Sequence, residues 1–209
     1  MASDPQDMLS LSVREFVSAA GAKTPTPGGG SVAGVVGALS VALGQMSLNF
    51  TRGKKKYAEH EPYYEHLAGR LDRARRMFEG LIADDISAYG LYQQSGRMDD
   101  GPEKDQAVQL ALAAAIDVPR ESAKLALAVL TDLKDFAPKC SKWLISDLVA
   151  AGALAVAVAR LADYNVRINV PQLTDRQAAA DIHQASADDV KRAEGLLAEI
   201  DRACKELLP

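Results

Sequence analysis

At 209 residues, with 48% hydrophobic and 25% charged, the chain has ordinary globular composition and can bury one sizeable core. A net charge of −4, from 24 basic and 28 acidic residues, gives no general pull toward nucleic acid or acidic membranes. Cys140 and Cys204 stand alone without CxxC spacing, which argues against a zinc site or disulfide framework and for a reducing, cytoplasmic setting.

The opening MASDPQDMLS is acidic and poor in apolar residues, unlike a signal peptide. Ser12-Val-Arg-Glu15 has capping-box spacing, and Leu11, Phe16, Val17 and Ala20 follow at helical intervals. A first helix is therefore predicted to end near Gly21. The most distinctive stretch covers residues 24–56. It holds two prolines, the glycines Gly28, Gly29 and Gly30, an uncharged run through Thr51, then Arg52, Lys54, Lys55 and Lys56. Triple glycine before a helix leaves backbone N–H groups unshielded, and with the helix's positive end they favour an anionic or electron-rich ligand. The loop is not a P-loop, since GxxxxGK[ST] is absent, and it follows no predicted strand. The lysine cluster by itself reads as a solvated turn.

Residues 31–50 carry no charge and are long enough in principle to cross a bilayer. Gln45, Asn49 and several serines favour a buried helix instead, with Gly34, Gly37, Ala38 and Ala42 allowing close neighbours. Glu61-Pro62 starts the next helix, and nothing breaks it before Gly101-Pro102. Its apolar stripe is Leu67, Leu71, Ala74, Phe78, Leu81, Ala88 and Tyr92, in steps of four and three, and the position skipped is Asp85. A carboxylate in such a seam must be desolvated, paired or used. Two readings stay open: a structural ion pair or helix-end contact, or a pocket carboxylate with a tuned pKa. Asp84 falls off the stripe and is expected in solvent.

An alanine-rich helix over 102–118 is broken or kinked by Pro119 and continues over 120–136. A helix over 142–164 opens with the polar Ser146 and Asp147 and is apolar on most faces from Leu148 to Ala159. Residues 165–171 read as extended, and Thr174 caps a last amphipathic helix carrying apolar residues from Ala178 to Leu207. The chain is thus all-α, one domain over 1–209, a bundle with long central helices. Two helices apolar on nearly every side favour self-association, most simply as a two-fold dimer. His60, His66 and His183 lack metal-ligand spacing, and Ser31 and Ser146 lack a triad pattern, so neither metal nor nucleophilic serine is expected.

Phe16, PTPGGGSVAG, the uncharged helix and NFTRGKKKY are followed in order by Asp85-Ile-Ser-Ala-Tyr89, Val118-Pro119, Ser146-Asp147 and Asn165-Val-Arg-Ile-Asn169. Over nearly the whole chain this series resembles the cyclodeaminase/cyclohydrolase family acting on tetrahydrofolate. The resemblance implies an all-helical, dimer-forming fold, a folate pocket including Gly28, Gly29, Gly30 and Ser31, and a catalytic aspartate at Asp85. Lys54 and Lys55 are then expected to hold the anionic glutamate tail. Ser146 is expected at the folate site, and Asp147, Asn165 and Asn169 are expected to contact the pterin or orient Asp85, with a helix N-terminal cap or first-turn charge as the other reading of Asp147. Cys140-Ser141 departs from the Gly-Asn common in related sequences. The favoured reaction is hydrolysis of 5,10-methenyltetrahydrofolate; the alternatives are cyclisation of 5-formiminotetrahydrofolate and an inert folate- or partner-binding module. Neither reaction needs a metal or a redox cofactor, so the folate substrate is the small molecule expected, with no nucleic acid and no membrane.

Overall fold

The structure, a computed structural model, describes residues 8–205; the expectations for the first residues and for Leu207 lie outside them. The main elements are α1 (Val13–Ala20), α2 (Gly29–Asn49), α3 (Glu61–Gly96), α4 (Pro102–Phe136), α5 (Ile145–Asn169) and α6 (Arg176–Lys205). Short 3-10 turns link them, and no strand occurs among the described residues. The fold is all-α. The capping box at the start of α1 forms: the Glu15 N–H donates to Ser12 Oγ, and the Ser12 N–H donates to the Glu15 carboxylate at 2.8 Å.

α2 lies antiparallel between α3 and α5. Gly34 abuts Ile82 and Phe78 on α3, and Gly44 lies over Leu71. On the other flank, Ser40 Oγ donates to the Ala151 carbonyl at 2.7 Å and Ser47 Oγ to the Leu144 carbonyl at 3.4 Å. α4 packs behind α3, α5 and α6. The main core lies there, with Leu71, Phe78, Leu130, Leu133, Phe136 and Leu148 fully buried.

The stripe on α3 is buried at Leu67, Leu71, Ala74, Phe78, Leu81 and Ala88, while Tyr92 at its end is exposed. α2 buries mostly small residues, among them Ala33, Gly34, Gly37, Ser40, Gly44 and Ser47. Small side chains let the helix backbones approach, and there the fit is tight. A β-carbon at Gly37 would stand 2.4 Å from the Phe78 ring.

Three expectations need correction. First, of the break or kink expected at Pro119 the break does not occur, and α4 runs through it. Proline lacks the N–H that would bond the Ala115 carbonyl four residues back, and the Asn169 side-chain amide donates to that carbonyl instead, at 3.3 Å. Second, residues 165–169 continue α5 as helix, and a 3-10 turn, Val170–Gln172, follows. Val166 and Val170 are buried against Leu112, Ile116 and Ala179 in a second small core, so tertiary burial outweighs the β-leaning local sequence. Third, Asp175 rather than Thr174 caps α6: the Ala178 N–H donates to Asp175 Oδ1 at 2.9 Å. The Thr174 hydroxyl turns to Gln109.

The fully buried Phe78 ring leaves a side chain at position 37 no room to relax. Gly37→Ala is expected to lower stability by about 1–3 kcal/mol through overpacking. Thermal unfolding measures it; an unchanged Tm would overturn the claim that α2 and α3 are in backbone-close contact.

Candidate active site

Pro27 and the glycines carry the chain into α2 with Gly28 as N-cap, and glycine has no side chain to satisfy the first N–H groups. The partner comes from another helix. Asp85, in the middle of α3, directs its carboxylate at this bare N-terminus. Ser31 Oγ donates to Asp85 Oδ2 at 2.7 Å, and the Ser31 backbone N–H, on the same side, also favours the ionised carboxylate. Gly30 lies flat against the same group: a β-carbon there would stand 1.9 Å from Asp85 Oδ1. At this position glycine is required by contact, not by backbone conformation.

Asp85 is half-buried and Asp84 beside it is exposed. Burial raises the Asp85 pKa above the usual aspartate value, and the Ser31 hydroxyl and N–H partly offset that rise. The positive end of α2 acts in the same direction as Ser31. The carboxyl therefore holds its proton more readily than a surface aspartate, as a group that takes and returns protons should.

Asp85 forms one wall of a cleft of about 190 Å³, with Tyr89, Tyr92, Pro119, Asn165, Asn169 and Gln172 among its other walls. A small recess lined by Gly30, Asp85, Pro119 and Asn165 continues behind it. Asn165 and Asn169 are one helical turn apart and face the same side. Asn165 Nδ2 donates to the Leu161 carbonyl and Asn169 Nδ2 to the Asn165 and Ala115 carbonyls. Both amides are thereby fixed in orientation, so that each side-chain carbonyl oxygen stays an acceptor at the cleft wall. Tyr92 donates to Gln172 Oε1 at 3.1 Å. The tyrosines and proline offer flat apolar faces, the amides offer hydrogen bonds, and the carboxylate can stabilise positive charge or accept a proton. That set suits a flat, nitrogen-rich heterocycle whose reacting carbon is electron-poor.

The glycine loop, Ser31, Asp85, Asn165 and Asn169 are brought together. Lys54, Lys55, Ser146 and Asp147 are not. α2 separates the glycines from the lysines by about 30 Å at 1.5 Å per residue, and α5 separates Asn165 from Ser146 by nearly as much. Because α2 and α5 are antiparallel, the second set gathers at the opposite end of the helix pair. Lys54 Nζ lies 3.5 Å from Ser141 Oγ, and Lys56, His60 and Lys142 border a separate hollow of about 410 Å³. Ser146 is exposed and Asp147 is half-buried in the first turn of α5. Cys140, in that region, is buried with its thiol pushed up to about 11, which keeps it unreactive.

Tyr92 entered the sequence reading only as a core-stripe residue, and Gln172 did not enter it. The steps of four and three on α3 do place Tyr92 one helical face along from Asp85, and that spacing is the signal for it. Gln172 has none, because it reaches the cleft through the turn that ends α5. Among the described residues no group of three or more His, Cys, Asp and Glu is arranged to hold a metal ion.

Ser31→Ala is expected to move the Asp85 titration to higher pH, because it removes a hydrogen bond that lowers the pKa. Carboxyl NMR titration of both proteins reads the midpoint directly. An unmoved or lowered midpoint would overturn the assigned contact.

The family described as formiminotransferase-cyclodeaminase matches residues 12–188. A methenyltetrahydrofolate cyclohydrolase from Methylorubrum extorquens is 33% identical over 192 residues, which cover 90% of this chain and 89% of that protein. The formimidoyltransferase-cyclodeaminase of Dictyostelium discoideum is 31% identical over 93% of this chain, which spans only 36% of that longer protein. The crystal structure of formiminotetrahydrofolate cyclodeaminase from Thermotoga maritima superposes with a TM-score of 0.87 at 28% identity, covering 95% of this chain and 98% of that one. With a family match across most of its length and a 33% identical relative of nearly equal extent, this chain belongs to the formiminotransferase-cyclodeaminase family.

Proposed function

We propose that the protein hydrolyses 5,10-methenyltetrahydrofolate to 10-formyltetrahydrofolate, with Asp85 as the working carboxylate. The observation that carries this reading is the half-buried Asp85, with its raised pKa, opening on a cleft of aromatic and amide groups. The 33% identical relative named methenyltetrahydrofolate cyclohydrolase supports the same choice.

The substrate is a delocalised amidinium cation. An ionised Asp85 stabilises it and takes a proton from the water that attacks the bridging carbon. The tetrahedral intermediate then breaks its bond to N5. Asp85 returns its proton to N5, and the former water oxygen loses its second proton as the formyl group forms. One proton is released overall. The oxidation state of carbon does not change, so the step calls for no redox cofactor. Asn165 and Asn169 present carbonyl oxygens to the N–H groups of a pterin, and Tyr89 and Tyr92 flank its plane.

Cyclisation of 5-formiminotetrahydrofolate is the second reading, favoured by the close superposition on formiminotetrahydrofolate cyclodeaminase. There N10 attacks the formimino carbon, ammonia leaves and the same methenyl compound forms, with the same carboxylate moving the proton. Unpaired Cys140 and Cys204 support a reducing, cytoplasmic setting. The half-exposed apolar α2 supports a homodimer.

Turnover is followed by the loss of methenyltetrahydrofolate absorbance. Asp85→Asn is expected to lower kcat by about 10² or more, the range of a general base. A variant with near-wild-type kcat would remove Asp85 from the mechanism. A wild-type rate no higher than the uncatalysed one would leave a folate-binding module. Ammonia release from 5-formiminotetrahydrofolate distinguishes the two reactions. Activity should also fall with acid through the Asp85 pKa. Because that pKa is raised, the fall begins at higher pH than for an ordinary aspartate.

A further inference from the structure

We propose that Pro119 is a positioning residue for the Asp85 cleft: by depriving the Ala115 carbonyl of its helix partner, it locks the Asn169 side-chain amide with its oxygen toward the cleft. This rests on the folate reading above and deepens it, because it gives a reason why that wall accepts hydrogen bonds rather than donates them.

Helix α4 is 35 residues long, and Pro119 lies at its middle. A proline there is costly, since it lacks the N–H for the carbonyl four residues back and its ring crowds that carbonyl. The ring is buried, and it lines both the cleft and the recess behind Asp85. The missing donor comes from α5. Asn169 Nδ2 donates to the Ala115 carbonyl at 3.3 Å and to the Asn165 carbonyl at 3.0 Å.

Those two bonds use both hydrogens of the amide. Turning the amide over would set its oxygen against two carbonyl oxygens. It would also leave the half-buried Ala115 carbonyl without a donor, which costs more than an ordinary hydrogen bond contributes. A residue with an N–H at position 119 would remove that second penalty, because its own N–H would meet the carbonyl. Asn165 makes the contrast. Its amide donates to the Leu161 carbonyl at 3.1 Å, an acceptor that the regular ladder of α5 already serves. Asn169 is therefore the more firmly held of the two, and the proline is what holds it.

The lock has a consequence for recognition. With both N–H groups turned to backbone, Asn169 offers the cleft only an oxygen, and an ionised Asp85 likewise only accepts. Such a wall selects a ring edge that carries N–H or amino groups and rejects one that presents lone pairs, whereas an amide free to turn would take either. A reduced pterin has a donor edge of this kind in its ring N–H and amino group.

Pro119→Ala and Asn169→Ala, made singly and together, test this. Alanine suits the helix better than proline, so α4 persists, and it restores the N–H. Pro119→Ala is expected to raise KM for methenyltetrahydrofolate about five- to tenfold, the worth of one hydrogen bond. The loss should fall on KM more than on kcat, since Asp85 stays in place. Asn169→Ala should raise KM as much, and the double variant should be no worse than Asn169→Ala alone, because the proline acts through that amide. Thermal unfolding reads the link without substrate. Asn169→Ala should lower Tm when residue 119 is proline, where the Ala115 carbonyl is left unmet, and lower it less beside alanine, where the restored N–H meets it. An unchanged KM in Pro119→Ala would overturn the positioning role. Losses that multiply in the double variant would overturn it too, since the ring would then act on the substrate directly. Equal Tm losses in the two backgrounds would overturn the lock itself. Coupled Tm losses in a protein that turns over neither folate would sink the folate reading and leave the lock standing.

Discussion

The arrangement depends on one contact: the Asp85 carboxylate serves as the missing cap of α2. A helix that begins with three glycines cannot satisfy its own first N–H groups through a side chain. Asp85 supplies the carboxylate from α3, and Ser31 fastens it with its hydroxyl. The same contact that orders the start of α2 holds the carboxylate in place, half out of water, with its proton affinity raised. The structural and the chemical readings of this residue are therefore one arrangement. Gly30 shows the constraint most sharply, since even a methyl group there would overlap the carboxylate.

Close packing of small residues makes that contact possible. Gly34 and Gly37 let α2 settle against Ile82 and Phe78, and Ser40 and Ser47 tie it to α5. The helix thus gives most of its inner face to small residues, with Val41 and Leu48 as the large side chains it buries there. Proximity positions the site. A further adjustment occurs at Pro119, whose ring breaks the bond to the Ala115 carbonyl. Asn169 repairs that gap and in doing so fixes its own amide at the cleft wall. Two irregularities, a capless N-terminus and a helix-internal proline, are each mended by a polar side chain that also faces the cleft.

Family membership narrows the chemistry to one-carbon folate conversions. The geometry adds why one carboxylate is suited to both candidate reactions. Each forms or consumes the same cationic methenyl carbon, and each moves a single proton at a nitrogen of the substrate. A desolvated aspartate beside a helix N-terminus is adapted to that exchange, since burial raises its pKa while the hydrogen bond from Ser31 opposes that rise.

The helical periodicity, the capping box at Ser12 and the skipped aspartate in the α3 stripe were all determined by the sequence itself, because they are local or repeat at a fixed helical interval. The motif series likewise sufficed to place the chain in its family. Three matters needed the tertiary structure. Residues 165–171 look extended by composition, and only burial of Val166 and Val170 in the second core makes the stretch helical through Asn169. Pro119 reads as a break or a kink, whereas α4 runs through it and the distant Asn169 amide meets the freed Ala115 carbonyl. Above all, the sequence places Lys54 and Lys55 close to the glycine loop, on the same short stretch of chain, whereas a rigid helix holds them about 30 Å apart. Spacing along the chain says which residues share a helix face, but the direction in which helices pack decides which residues share a site.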